Sequence, residues 1–260
     1  MMRSFATGLA VVAALMLAAD SSAAEWGTLK GQFIYDGNPP APAKLNITKD
    51  VEVCSLHPPV DESLLVGPNG GIKNVVVYIR SARGEKLEVH PDYEAAYNQP
   101  VELDNEHCRF TPHVALLRTG QTLVLKNSDP VGHNSKIDCF VNPPLNVLIP
   151  ASGETEQTMT LEERLPVQVG CNIHPWMTAY LIVRHDPYMT VSAEDGTFEI
   201  KNIPAGEHEF QFWHEKAGYL GDLDLNDGGE SDSRGRADIE IEAGELDLGQ
   251  IEVDDGAFED

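Results

Sequence analysis

Cys171-Asn172-Ile173-His174-Pro175-Trp176-Met177 is the stretch of this chain that says most about its fold. It follows Leu165–Gly170 and precedes Thr178–Val183, which both read as strands from their apolar and β-branched content. A thiol, an imidazole and a thioether are therefore packed into one tight loop between two strands. Such a loop can offer three ligands to a single metal ion, and the strands on either side hold it rigid.

A fourth ligand has to come from elsewhere in the chain. Asn127-Ser128-Asp129-Pro130-Val131-Gly132-His133-Asn134 supplies it, because His133 follows a strand over Gln121–Asn127 and stands 38 residues before Cys171. One thiolate, two imidazoles in a trigonal set and a weak, long axial thioether are the ligands of a mononuclear type 1 (blue) copper site. His133, Cys171, His174 and Met177 make up that set, for one copper per chain. A binuclear copper centre would need a second Cys in the loop, which this loop lacks. Taken singly, Cys171 reads equally as a buried thiol or disulfide partner, His174 as a surface imidazole and Met177 as core packing. The metal reading rests on their joint spacing.

On these residues the chain resembles the cupredoxins, and the amicyanin/plastocyanin group most closely. That group has a strand ending in Asn, a short loop, His-Asn, and later Cys-x2-His with a downstream Met. The resemblance runs from about Cys108 to Arg184. It implies a Greek-key β-sandwich with copper near one end and one-electron transfer through it. Asn134 would then bind the two ligand loops together, and backbone near His133 would donate to the thiolate. The electron would leave through an exposed edge of His174, ringed by an apolar surface for which Pro175, Trp176 and Pro143-Pro144 are candidates.

Across the rest of the chain, strand signals dominate and the class is all-β. Val75–Ile79, Thr122–Lys126, Tyr180–Val183, Thr197–Ile200, Glu209–Phe212 and Ile239–Glu242 are short β-branched or alternating runs. Asp36-Gly37, Asn69-Gly70-Gly71, Asp195-Gly196 and Pro204-Ala205-Gly206 separate them as turns. Helical candidates are limited to Asp92–Tyr97 and Glu162–Arg164. The chain divides into an N-terminal β segment (residues 25–106), a copper domain (107–184) and a C-terminal β segment with an acidic tail (185–260). Gly27-Thr28-Leu29-Lys30-Gly31 and the later Asp195–Gly206 hairpin resemble parts of a transthyretin-like or carboxypeptidase-regulatory-like sandwich. The first and third segments would then form a second sandwich split around the copper domain, with tandem domains as the alternative.

Residues 1–24 show one cation (Arg3), an uncharged apolar run over Phe5–Ala19, and small residues up to Ala24. That order reads as a signal peptide cleaved near Ala24, too short for a membrane span, so a periplasmic or secreted location is expected, with no membrane span in the mature chain. Lys and Arg number 18 against 42 Asp and Glu, which argues against nucleic acid as a partner. Residues 222–260 hold 15 acids against two bases, Arg234 and Arg236, and so carry −13 of the net −24 charge. This charge would steer a basic redox partner, such as a cytochrome c or a dehydrogenase.

Of the remaining cysteines in an exported chain, Cys54 and Cys108 are expected to pair, leaving Cys139 as a free thiol, with a different pairing that includes Cys139 as the alternative. Cys54-x2-His57 and His107-Cys108 with His113 form a conceivable second metal set, although loop histidines beside a disulfide explain them more simply. Trp213-His214-Glu215 reads as a strand-end aromatic with a surface His. No second ligand set suggests an oxidase or reductase, so the chain is not expected to be an enzyme. The alternatives to electron transfer are copper sequestration or delivery, and a carbohydrate-binding envelope module. The chain lacks the Met- or His-rich clusters of the first and a clear aromatic platform for the second.

Overall fold

The computed structural model describes residues 25–82 and 84–259; the expected signal peptide lies outside them. Strands β1 (Trp26–Asp36) and β2 (Val76–Ile79) come first, with helix α1 (Val51–Cys54) between them and α2 (Asp92–Tyr97) after them. The middle of the chain forms β3 (Val101–Glu106), β4 (Arg109–Thr111), β5 (Val114–Arg118), β6 (Thr122–Asn127), β7 (His133–Ile137), β8 (Leu145–Ile149), β9 (Glu154–Thr158), β10 (Val167–Gly170) and β11 (Thr178–Arg184). The last segment adds β12 (Met189–Val191), β13 (Thr197–Pro204), β14 (Gly206–His214), β15 (Gly218–Tyr219), β16 (Arg236–Ile241) and β17 (Gly244–Asp254). The expected helix at Asp92–Tyr97 forms. Glu162–Arg164 does not become helical: it is an irregular bend in which Glu163 is buried and accepts the backbone N–H groups of Phe140, Val141 and Asn142.

Two sandwiches result. The inserted one packs sheet β4-β3-β6-β9 against sheet β5-β11-β10-β7-β8. Its core joins Leu103, Phe110, Leu123 and Leu125 of the first sheet to Leu117, Ile137, Val169 and Leu181 of the second. β3 pairs parallel to β6, and β5 parallel to β11, so crossovers of the Greek-key kind link the sheets. The second sandwich draws on both ends of the chain. β1 alternates buried and partly exposed residues along its length and sits between β13, antiparallel, and β17, parallel. Its partner sheet is β12-β2-β14-β15, with β16 also on β14. Phe33 is fully buried and stacks on Phe198 with ring centroids 4.9 Å apart. Each such side chain contributes roughly 1.5–3 kcal/mol on burial. At the Asp195-Gly196 turn, a Cβ on Gly196 would stand 2.2 Å from the Phe33 carbonyl oxygen, and φ is +82°, so only glycine fits.

β2 is buried along both faces. Val77 and Ile79 enter the core of the split sandwich, while Val76 and Tyr78 face Val114 and Ile182 of the inserted one. That double burial explains an unbroken β-branched run where a one-faced strand would alternate. Arg184 reinforces the seam, donating to the Ile79 carbonyl at 3.0 Å and lying over the Tyr78 ring. Among the described residues no helix is long and apolar enough to cross a membrane.

Candidate metal centre

The fold gathers the sequence-selected residues at one end of the inserted sandwich. β10 and β11 form an antiparallel hairpin whose connection is the 171–177 loop. β7 lies on the other side of β10 and begins at His133. The loop closes on itself, with Met177 N–H donating to His174 O (2.9 Å) and Cys171 N–H donating to Met177 O (3.3 Å). Pro175 has no N–H to satisfy and stays exposed.

Cys171 Sγ lies 3.9 Å from His133 Nδ1 and 3.7 Å from His174 Nδ1, and all three side chains are buried. Metal–sulfur and metal–nitrogen bonds of ~2.3 and ~2.0 Å in a trigonal set place sulfur and nitrogen about 3.7 Å apart. The two sulfur–nitrogen separations therefore match those around a copper or zinc ion. Met177 is buried in the same core cluster as Cys171. A second grouping, Cys108, Asp129 and His133, offers no thiolate, because Cys108 is joined to Cys54 in a disulfide. That bond is the expected pairing; Cys139 is free and partly buried.

Each imidazole is fixed through its other nitrogen. His133 Nε2 pairs with Asp129 Oδ2 at 2.8 Å, and His174 Nε2 with Asp50 Oδ2 at 2.9 Å. A carboxylate on the far nitrogen fixes the tautomer and turns Nδ1 toward the ion. Asn134 ties the loops together as the resemblance implies: its Oδ1 accepts from Asn172 N–H at 2.8 Å and Ile173 N–H at 3.3 Å. Its backbone N–H points at Cys171 Sγ from 3.5 Å.

These contacts set the charge states. Burial raises the Cys171 thiol, but hydrogen bonds from His133, His174 and the Asn134 backbone outweigh it and hold the thiol below its ordinary range. Burial alone would lower His133; Asp129 and the Cys171 sulfur reverse that and raise it. A sulfur held as thiolate is the form that binds metal.

One expectation is overturned. The edge of His174 is not exposed: its side chain is fully buried, with Asp50 against Nε2 and the Trp176 ring 5.2 Å away. α1 and the residues before it lie across the site, anchored through the Cys54–Cys108 bond. Pro143, Pro144 and Pro175 are exposed but do not surround an open imidazole edge. Asp50 and Asp129 are the residues of the candidate site that the sequence reading missed. Asp129 had a local signal, four residues before His133. Asp50 had none, being 124 residues from His174.

His113 is elsewhere, between Glu215 (Nε2 to Oε2, 2.5 Å) and Glu62 (Nδ1 to Oε2, 3.7 Å). His214 is buried, and Glu215 reaches across to the inserted sandwich, so the Trp213-His214-Glu215 segment is a seam between sandwiches and not a surface strand end. Burial lowers the His113 pKa, but Glu215 and Glu62 outweigh it and raise it from 6.5 to about 9. A raised folded-state pKa stabilises most below the unfolded value and loses that stabilisation as pH rises through the folded one. Stability should therefore fall between about pH 6.5 and pH 9–10, by on the order of a few kcal/mol. Urea unfolding across that range should show the fall in the native chain and a shallower one in His113→Gln, where His133, also raised, keeps its own share.

Two facing sheets with these loops at one end make the inserted unit a cupredoxin-like sandwich. No protein-family profile and no curated protein matches the chain. Solved structures similar to it include the Cu-containing nitrite reductase (NirK) from Thermus scotoductus SA-01, at 19% identity and TM-score 0.30 over 40% of this chain; the match spans 25% of the reductase. The reduced Cu(I) form, at pH 4, of a point mutant of amicyanin matches 42% of this chain and 98% of its own, at 17% identity and TM-score 0.30. A purple cupredoxin from Nitrosopumilus maritimus matches 33% of this chain and 99% of its own, at 18% identity and TM-score 0.28.

Proposed function

We propose that this chain is an exported one-electron carrier holding a single type 1 copper ion at His133, Cys171, His174 and Met177. The observation that carries the reading is the pair of imidazole Nδ1 atoms facing one buried sulfur, each ring locked by a carboxylate on Nε2. When bound, copper supplies a Cu(II)/Cu(I) couple. The protein residues supply rigidity and dryness. Asn134 clamps the two loops at three backbone N–H groups, its own included. Burial of the three donors excludes water. A scaffold that does not move between oxidation states keeps the reorganisation cost of electron transfer low. The net charge of −24 favours encounter with a basic protein, and association should slow as salt rises.

The test is the visible and EPR spectrum of the chain reconstituted with one equivalent of Cu(II). An intense band near ~600 nm, or a green or red variant of it, with narrow copper hyperfine splitting supports the reading. A pale solution with wide splitting would sink it. Met177→Leu should keep the copper and raise the potential, since a weak thioether donor to Cu(II) is removed. Unchanged potential and spectrum would mean that Met177 is not the axial ligand.

The covered His174 edge favours a second reading, in which the chain stores copper and exchanges electrons slowly. Rapid bimolecular oxidation of the Cu(I) form by a protein acceptor would exclude storage; slow oxidation with ready copper loss to a chelator would support it.

A further inference from the structure

We propose that His57 and His107 form a second, surface site for one divalent transition-metal ion, of the Cu2+, Ni2+ or Zn2+ class. The chain has nine histidines. Seven of them have a polar partner on a ring nitrogen: His90, His113, His133, His174, His185, His208 and His214. Among the described residues only the His57 and His107 rings show no hydrogen bond or ion pair. Both residues are exposed, and their ring centroids lie 4.1 Å apart with a tilt of 41°. The two histidines whose nitrogens are unclaimed are thus the two that touch each other at the surface.

The backbone holds them there. His107 and Cys108 make the two-residue turn between β3 and β4, with φ of 55° and 56°. Such turns favour Asn-Gly, because a Cβ is costly at positive φ. The turn is kept by Asp129, which accepts both backbone N–H groups at 2.8 Å, and by the disulfide, which brings the Cys54 and Cys108 Cα atoms to 5.3 Å. His57 follows Cys54 by three residues, so the cross-link that fixes the turn also sets the distance between the rings. Two neighbouring imidazoles with unclaimed ring nitrogens are a chelating pair for borderline metal ions. Water would complete the coordination, and the acidic chain concentrates cations around it. The site is independent of the copper reading, although Asp129 and the Trp176 N–H on Cys108 O link the same turn to the buried centre.

The test is Ni2+ titration calorimetry on the native chain, His57→Asn, His107→Asn and the double variant. Asn tolerates the left-handed turn position, and His57 lies outside the turn, so one variant leaves the turn intact. Any Ni2+ taken by the buried donors is common to all four proteins. The native chain should bind one more Ni2+ than the double variant, and each single variant should bind it roughly tenfold or more weakly. Equal stoichiometry and affinity in the native and double-variant chains would overturn the proposal. Failure of the copper reading would instead show as a pale Cu(II) spectrum and leave this difference in place.

Discussion

Cys171→Ser should abolish the intense visible band of the Cu(II)-loaded protein. The band requires charge transfer from a thiolate, and among the described residues Cys171 is the sulfur that faces both His133 and His174. Serine keeps the size of the side chain and takes away the soft, readily ionised donor. Asn134 Oδ1 still has Asn172 N–H and Ile173 N–H to accept, so the loop should keep its shape. The variant should fold, with a thermal midpoint close to that of the native chain, and hold Cu(II) weakly with wide hyperfine splitting. A retained intense band would place the copper thiolate elsewhere, with Cys139 the remaining free cysteine.

Asp129→Ala should lose both stability and metal affinity. Its carboxylate is buried and serves three donors: His133 Nε2, His107 N–H and Cys108 N–H, each at 2.8 Å. Removing it leaves an imidazole without its counter-charge and two turn N–H groups without an acceptor. Breaking a buried pair of this kind costs roughly 3–5 kcal/mol. Loss of the carboxylate behind a ligand imidazole lowers metal affinity by roughly 10- to 100-fold. Burial raises the Asp129 carboxyl, but His133 and the two backbone N–H groups outweigh it and hold it below the usual carboxylate range. A depressed carboxylate stabilises above its unfolded pKa and loses that effect only as pH falls through its lower folded value. The native chain should therefore keep this contribution through mild acid, and the variant should lack it at every pH. Urea unfolding at neutral and acidic pH, with a copper competition assay, measures both effects. Native-like stability with normal copper retention in the variant would show that Asp129 neither holds the turn nor supports His133.

The gap between sequence and structure follows from what local chemistry can encode. Strand identity was legible because side-chain alternation and β-branching are properties of neighbouring residues: β6, β11 and β13 form where their runs predict. That a disulfide forms was legible from the expected oxidising compartment; that Cys54 takes Cys108 and leaves Cys139 free was decided by the fold. Glu162–Arg164 misled because a short charged run resembles a helix turn. The decisive force there is tertiary: three backbone N–H groups around Asn142 need an acceptor, and Glu163 provides it. His214 misled for a similar reason, since nothing near it in sequence announces that a second sandwich packs against that strand end.

The all-β class and the four candidate donors with their spacing can be read from the residues alone, because a tight loop between strands leaves few places for Cys171, His174 and Met177 to go. The surroundings of those donors come from packing between distant segments. Packing brought Asp50 onto His174 from 124 residues away and closed the edge through which an electron was expected to leave. It also placed His57 against His107 across a disulfide. These are long-range contacts, set by burial and cross-linking between segments, and no local pattern of residues carries them.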